Sequence, residues 1–159
     1  MKKCILLLLA AITFSFCKKD DFCVEPVTPN LILRLYNSTN PTELKSGERL
    51  SIWADGRDTL PQYTSVTLDS VVIPLNLISN QTVYNFKINT VDGNIANNRV
   101  DQLTVNYTTE EVYISRSCGF RVIFNNVTVT SNNGWILSLS PSSIATINNE
   151  SSAHVQIFH

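Results

Sequence analysis

Helical patterning, histidine and clusters of basic charge are all scarce in this chain, and each scarcity excludes something. Apolar residues do not recur at helical spacing after the N-terminus, which argues against a helical bundle or an α/β fold. Only two histidines occur among 159 residues, His154 and His159. Five residues apart in an extended segment they point to opposite faces, so they cannot grip one metal ion without a bulge. No cysteine stands in a CxxC pair, which removes the usual structural zinc motif. Nothing basic is concentrated enough for nucleic acid. "DGRD", residues 55–58, lacks the ladder of oxygen ligands and the closing Glu of a calcium loop and reads as a hairpin turn. No nucleophile elbow marks a Ser-His-Asp hydrolase. Nothing points to a cofactor, and no enzyme is expected. The alternative is a small cell-envelope hydrolase whose active site carries no recognisable motif.

What is present begins with an export signal. "MKKCILLLLAAITFSF", residues 1–16, sets Lys2 and Lys3 before about a dozen apolar residues, fewer than the about 20 a membrane-crossing helix needs. It is followed by "CKKDDFC", residues 17–23. Cleavage after Ser15, with Thr13 at −3, would be an ordinary secretory cut. Cleavage before Cys17 would make that cysteine the acylated first residue of a lipoprotein, although Phe16 departs from the small residue usual at −1.

Cysteine parity favours the second. Cys4 leaves with the signal, and Cys17, Cys23 and Cys118 remain. If Cys17 is acylated, Cys23 and Cys118 form one pair, expected as a disulfide in an oxidising compartment. Two buried free thiols are the competing picture. Without Lys2 and Lys3, ten basic residues face thirteen acidic ones, a net charge near −3. No later run is apolar enough to span a membrane, so acyl chains would be the membrane contact.

The expected organisation is an acylated tether over residues 17–29 and one β domain over 30–159, long enough to bury roughly two-thirds of its unfolded surface. Val, Ile, Thr, Tyr and Phe alternate with polar residues between Asn, Gly, Ser and Pro breaks. "NLILRLYN" aligns Leu31, Leu33 and Leu35. "RLSIWAD" aligns Leu50 and Ile52 with Ala54 and ends at Asp55-Gly56. "TVYNFKIN" and "DQLTVNYT" form a hairpin across Asp92-Gly93. The phase slips between Leu68 and Val71, so a turn or bulge belongs near Asp69-Ser70. It slips again between Phe124 and Val127; Asn125-Asn126 reads better as a tight turn than as a bulge. Glu110-Glu111 reads as a solvated corner. Eight to ten short strands predict an antiparallel two-sheet β-sandwich, immunoglobulin-like in general architecture. Tyr36, Trp53, Tyr113 and Trp135 are candidates for a peptide- or sugar-binding face, and core packing is the commoner use of such residues.

From about Cys23 onward, "TPNLILRLY", "DTL", "LDSVVIPLN", "SRSCGF", "VIFNN", "INNE" and "HVQIFH" together resemble an uncharacterised lipoprotein family of Bacteroidota, a domain of unknown function. The resemblance carries no activity. It implies that Lys19, Asp20 and Asp21, just after Cys17, act as a surface-export signal, the alternative being a hydrophilic tether. It also implies O-glycosylation at Thr59, in Asp58-Thr59-Leu60, and at Ser70, in Asp69-Ser70-Val71. The expected protein is a non-enzymatic, surface-displayed lipoprotein with an envelope protein or glycan as partner, the periplasmic face being the other location.

Overall fold

A computed structural model describes Cys23 and residues 28–89 and 95–159. The segment expected to be an export signal, Cys17, the Lys19-Asp20-Asp21 run and the Asp92-Gly93 pair expected to form a turn lie outside the described residues.

Among the described residues ten strands follow one another: β1 (Leu31–Tyr36), β2 (Gly47–Ala54), β3 (Val66–Leu68), β4 (Ser70–Ile73), β5 (Gln81–Ile88), β6 (Arg99–Ser115), β7 (Gly119–Ser131), β8 (Ser138–Ser140), β9 (Ser143–Ile147) and β10 (Val155–Phe158). They form two sheets, β4-β1-β10-β8 and β3-β2-β5-β6-β7-β9, packed as a β-sandwich. Pairing is antiparallel except between β1 and β10, which run parallel. Parallel neighbours need a long connection, and here most of the chain lies between the two strands.

Alternation places the core. Leu31, Leu33 and Leu35 of β1 are fully buried, while Ile32, Arg34 and Tyr36 face away. Across the sandwich, Leu50 and Ile52 of β2, Phe86 of β5 and Leu103 and Val105 of β6 are equally buried. Each such side chain contributes roughly 1.5–3 kcal/mol by leaving water. Gly56 closes the expected turn with φ +69°, and the Arg57 N–H donates to the Ala54 carbonyl at 3.0 Å.

The two phase slips resolve differently. At Asp69-Ser70 the chain changes sheets: β3 pairs with β2, whereas β4 pairs with β1 in the opposite layer. Val71 and Ile73 thus point into the core from the other side. At Asn125-Asn126 the expected tight turn is a bulge within one strand. Asn106 pairs with Thr128 and Thr108 with Asn125, so Tyr107 alone faces both Asn126 and Val127. Only Asn126 takes positive φ, +52°, whereas a type I′ turn needs two such residues. The extra residue keeps both Phe124 and Val127 in the core.

β6 and β7 are consequently much longer than the short strands expected, at 17 and 13 residues. Glu110-Glu111 is no corner but mid-strand; the reversal comes at Arg116–Cys118. β5 stops pairing with β6 at Asn106, and β9 stops pairing with β7 at Phe124. Beyond that, among the described residues, the two strands pair only with each other. They make a two-stranded ribbon roughly 20 Å long.

Candidate functional site

The ribbon carries the cysteine bridge. Cys118 lies in its terminal turn, where its N–H donates to Ser115 Oγ at 3.1 Å. It is disulfide-bonded to Cys23, with Cα atoms 4.9 Å apart. The expected pairing is therefore present, and free thiols are excluded. The bridge fastens Cys23 to the ribbon's tip, beyond the strands that pack the core.

Next to the bridge, Tyr113 of β6 and Phe120 of β7 are directly opposite each other. Their rings meet edge to face with centroids 5.4 Å apart, yet they remain 57% and 60% exposed. The other aromatic candidates do not join them. Trp135 is core, its Nε1–H donating to the Phe86 carbonyl at 3.1 Å. Tyr36 is half-buried against Phe158. Trp53 is half-buried on β2. The four residues thus form no common face.

Among the described residues, cavities flank the six-stranded sheet. One, of about 330 Å³, opens between the β2–β3 and β4–β5 connections and is lined by Asp55, Arg57, Asn76, Gln81 and Tyr84, among others. Two of its lining residues, Asn76 and Thr82, belong to a closed polar network. The Tyr107 hydroxyl donates to the Asn76 carbonyl at 2.7 Å and lies 2.5 Å from Thr82 Oγ1, which accepts the Asn76 N–H at 2.8 Å. The Thr82 hydroxyl proton therefore goes to Tyr107. Tyr84 donates to the Pro74 carbonyl at 2.7 Å. Burial, with Tyr107 adding to it, pushes its hydroxyl up to about 12.

A second cavity, of about 420 Å³, is lined by Lys45, Glu48, Asn89, Arg99 and His159, among others. Lys45 Nζ donates to the main-chain oxygen of His159 at 2.9 Å, and His159 Nε2 lies 3.0 Å from the Lys45 carbonyl, to which it donates. Burial pushes the His159 imidazole below its ordinary value, and the Lys45 and Arg99 charges act in the same direction. The hydrogen bond to the Lys45 carbonyl opposes them.

Each of the two histidines is tied to main chain. His154 Nδ1 accepts the Ile32 N–H at 2.9 Å, which fixes the proton on Nε2 for donation to the Asn149 carbonyl at 2.9 Å. Among the described residues, no group of three or more His, Cys, Asp or Glu side chains is arranged to hold a metal ion. No described helix is long and apolar enough to cross a membrane. Thr59 and Ser70, the expected glycosylation positions, are both exposed, one after the Asp55-Gly56 turn and the other at the start of β4.

Two residues that build this frame escape sequence analysis. Asp101 sits on the core face of β6 and is fully buried, its two oxygens accepting N–H groups from Gly134 and Ile136 at 2.8 and 2.5 Å. Tyr63 reaches the outer edge of β4, where its hydroxyl accepts the Val72 N–H at 2.7 Å and donates to the Val72 carbonyl at 2.9 Å. The odd placement of Asp101 in an apolar alternation was the one available signal for the first.

A family model described as "Family of unknown function (DUF6452)" matches residues 49–159. No curated protein and no solved structure matches the chain. The matched span starts within β2, although β1 upstream of it fills the middle of the four-stranded sheet.

Proposed function

With a model covering more than half of its length, the chain belongs to this family of unknown function (DUF6452), and we propose that it is a lipid-anchored envelope protein of Bacteroidota. It is displayed on the cell surface and has a binding or structural role rather than an enzymatic one. The observation that carries this proposal is the Cys23–Cys118 bridge. It takes up two of the three cysteines left once the export signal is removed, so Cys17 is the one to carry acyl chains. The engagement of His154 at both ring nitrogens by main-chain groups supports a structural rather than catalytic histidine. The exposure of Thr59 and Ser70 supports their use as glycosylation acceptors.

Metabolic labelling with a palmitate analogue tests the anchor. The wild type takes up the label and Cys17→Ala does not; an unlabelled protein cut after Ser15 would refute acylation. Display is tested by protease added to whole cells. Wild type is digested, and replacing Lys19, Asp20 and Asp21 by Ala protects the protein; equal digestion reduces that run to a tether. The partner is an envelope protein or a glycan, to be identified by pull-down from intact envelopes.

A further inference from the structure

The disulfide and the ribbon together decide which end of the sandwich meets the bilayer. Cys17 and Cys23 are six residues apart, so the chain between them spans at most about 20 Å. Cys23 is bonded to the ribbon's tip. Acyl chains on Cys17 therefore hold that tip within about 20 Å of the lipid headgroups, whatever the rest of the domain does. At this tip stand Tyr113 and Phe120, exposed and stacked on one another rather than on the core. Aromatic rings of this kind partition into the headgroup layer, where the ring is sheltered and a hydroxyl stays wet.

The topology agrees. β1 begins at this end, since Leu31 pairs with Ile73, and the chain leaving β4 reaches Asn76, which bonds Thr82 and Tyr107 where the ribbon begins. The β4–β5 connection there exposes Leu77 and, almost completely, Ile78. Of the ribbon's charged side chains, Glu110 and Glu111 sit near its base, Glu110 being held by Asn125 Nδ2 at 2.7 Å, and Arg121 lies on β7. Arg116 is the charged residue in the terminal turn itself and can meet lipid phosphate.

We propose that the ribbon tip, through Tyr113 and Phe120, docks into the headgroup layer of the same membrane that holds the acyl chains, so that the opposite end, with the Lys45–Arg99–His159 cavity, faces away. This rests on the lipid-anchor proposal above, and the occupant is a bilayer surface rather than a protein.

The test uses the acylated full-length protein in phosphatidylcholine vesicles whose acyl chains carry bromine near the headgroup. Phe120→Trp places a reporter at the tip. Leu137→Trp places one at the opposite end, where the Leu137 N–H bonds the Phe158 carbonyl. The expected result is at least twofold quenching and a blue shift for Trp at 120, none at 137, and loss of the quenching at 120 in a Cys23→Ser, Cys118→Ser background. No quenching at 120 on protein that mass spectrometry shows to be acylated overturns the docking and leaves the anchor standing. A blue shift at 120 that follows protein density but not bromine marks contact between copies and also overturns it. Absence of acyl chains overturns both proposals together.

Discussion

The carboxylate of Asp101 and the backbone of Gly134 meet so closely that no side chain fits between them. A Cβ at position 134 would stand well inside contact distance of Asp101 Oδ1, and glycine is required there by space rather than by φ. The contact fixes the β7–β8 connection and with it the burial of Trp135 and Ile136. Asp101→Asn puts an amide group opposite a buried N–H and is expected to cost about 1–3 kcal/mol. Gly134→Ala is expected to destabilise comparably, by pushing the carboxylate off the same N–H groups. Urea unfolding midpoints check both, and unchanged midpoints would show that the carboxylate is dispensable.

Tyr63 satisfies both main-chain groups of one residue on an edge strand. Among the described residues Val72 has no partner strand on that side, because β4 ends its sheet. Tyr63→Phe leaves its N–H and carbonyl without the hydroxyl, and a loss of about 1–3 kcal/mol is expected. Faster amide exchange at Val72 specifically would distinguish this from a general loosening.

Strand positions and faces were legible because one face of most strands is buried, and burial imposes the alternation seen at Leu31, Leu33 and Leu35. The slips were visible too, but not their outcomes. A one-residue slip at Asp69 reads the same whether the chain bulges or changes layers, and only the pairing of β4 with β1 decides. The length of β6 was hidden because its ribbon half has no buried face to impose a pattern. Asp101 was hidden for a related reason: its partners lie more than thirty residues downstream, in a connection with no periodicity. The disulfide was legible from cysteine parity alone, although its seat on the ribbon tip was not.

His159 is expected to make the domain acid-sensitive. Its imidazole is held below its ordinary 6.5, chiefly by burial, so below that pH the unfolded chain binds a proton that the folded chain refuses. The resulting stabilisation is present above 6.5 and lost as pH falls. Thermal midpoints measured from about pH 7.5 down to about pH 5 should fall, and fall less steeply in His159→Gln, which keeps a donor for the Lys45 carbonyl. Parallel profiles for the two proteins would contradict this.

Tyr84 sets the opposite limit. Its hydroxyl is raised from 10.0 to about 12, first by burial, and Tyr107 is raised by burial as well. Stability from Tyr84 is complete below 10 and disappears as pH rises towards about 12, because the unfolded chain gives up its proton first. Tyr84→Phe should lose about 1 kcal/mol at neutral pH with the bond to the Pro74 carbonyl. Its alkaline decline should then be shallower than that of the wild type, read by circular dichroism across that range.

The Cys23–Cys118 bridge closes a loop of 95 residues, for which chain entropy gives on the order of 4–5 kcal/mol. The measured loss in Cys23→Ser, Cys118→Ser should fall below that figure. The bridge holds a ribbon whose strands, past Thr108 and Phe124, have no neighbours but each other among the described residues, and such a ribbon is marginal in water. Freed of the bridge, it can open locally while Leu103, Val105 and Val129 stay packed, so part of the entropy is released without unfolding the core. Hydrogen exchange should therefore show faster amides over residues 109–123 and unchanged protection in β5 and the first half of β6. Uniform acceleration across both sheets would mean that the bridge supports the whole sandwich, and that a pull on the tether is felt in the core.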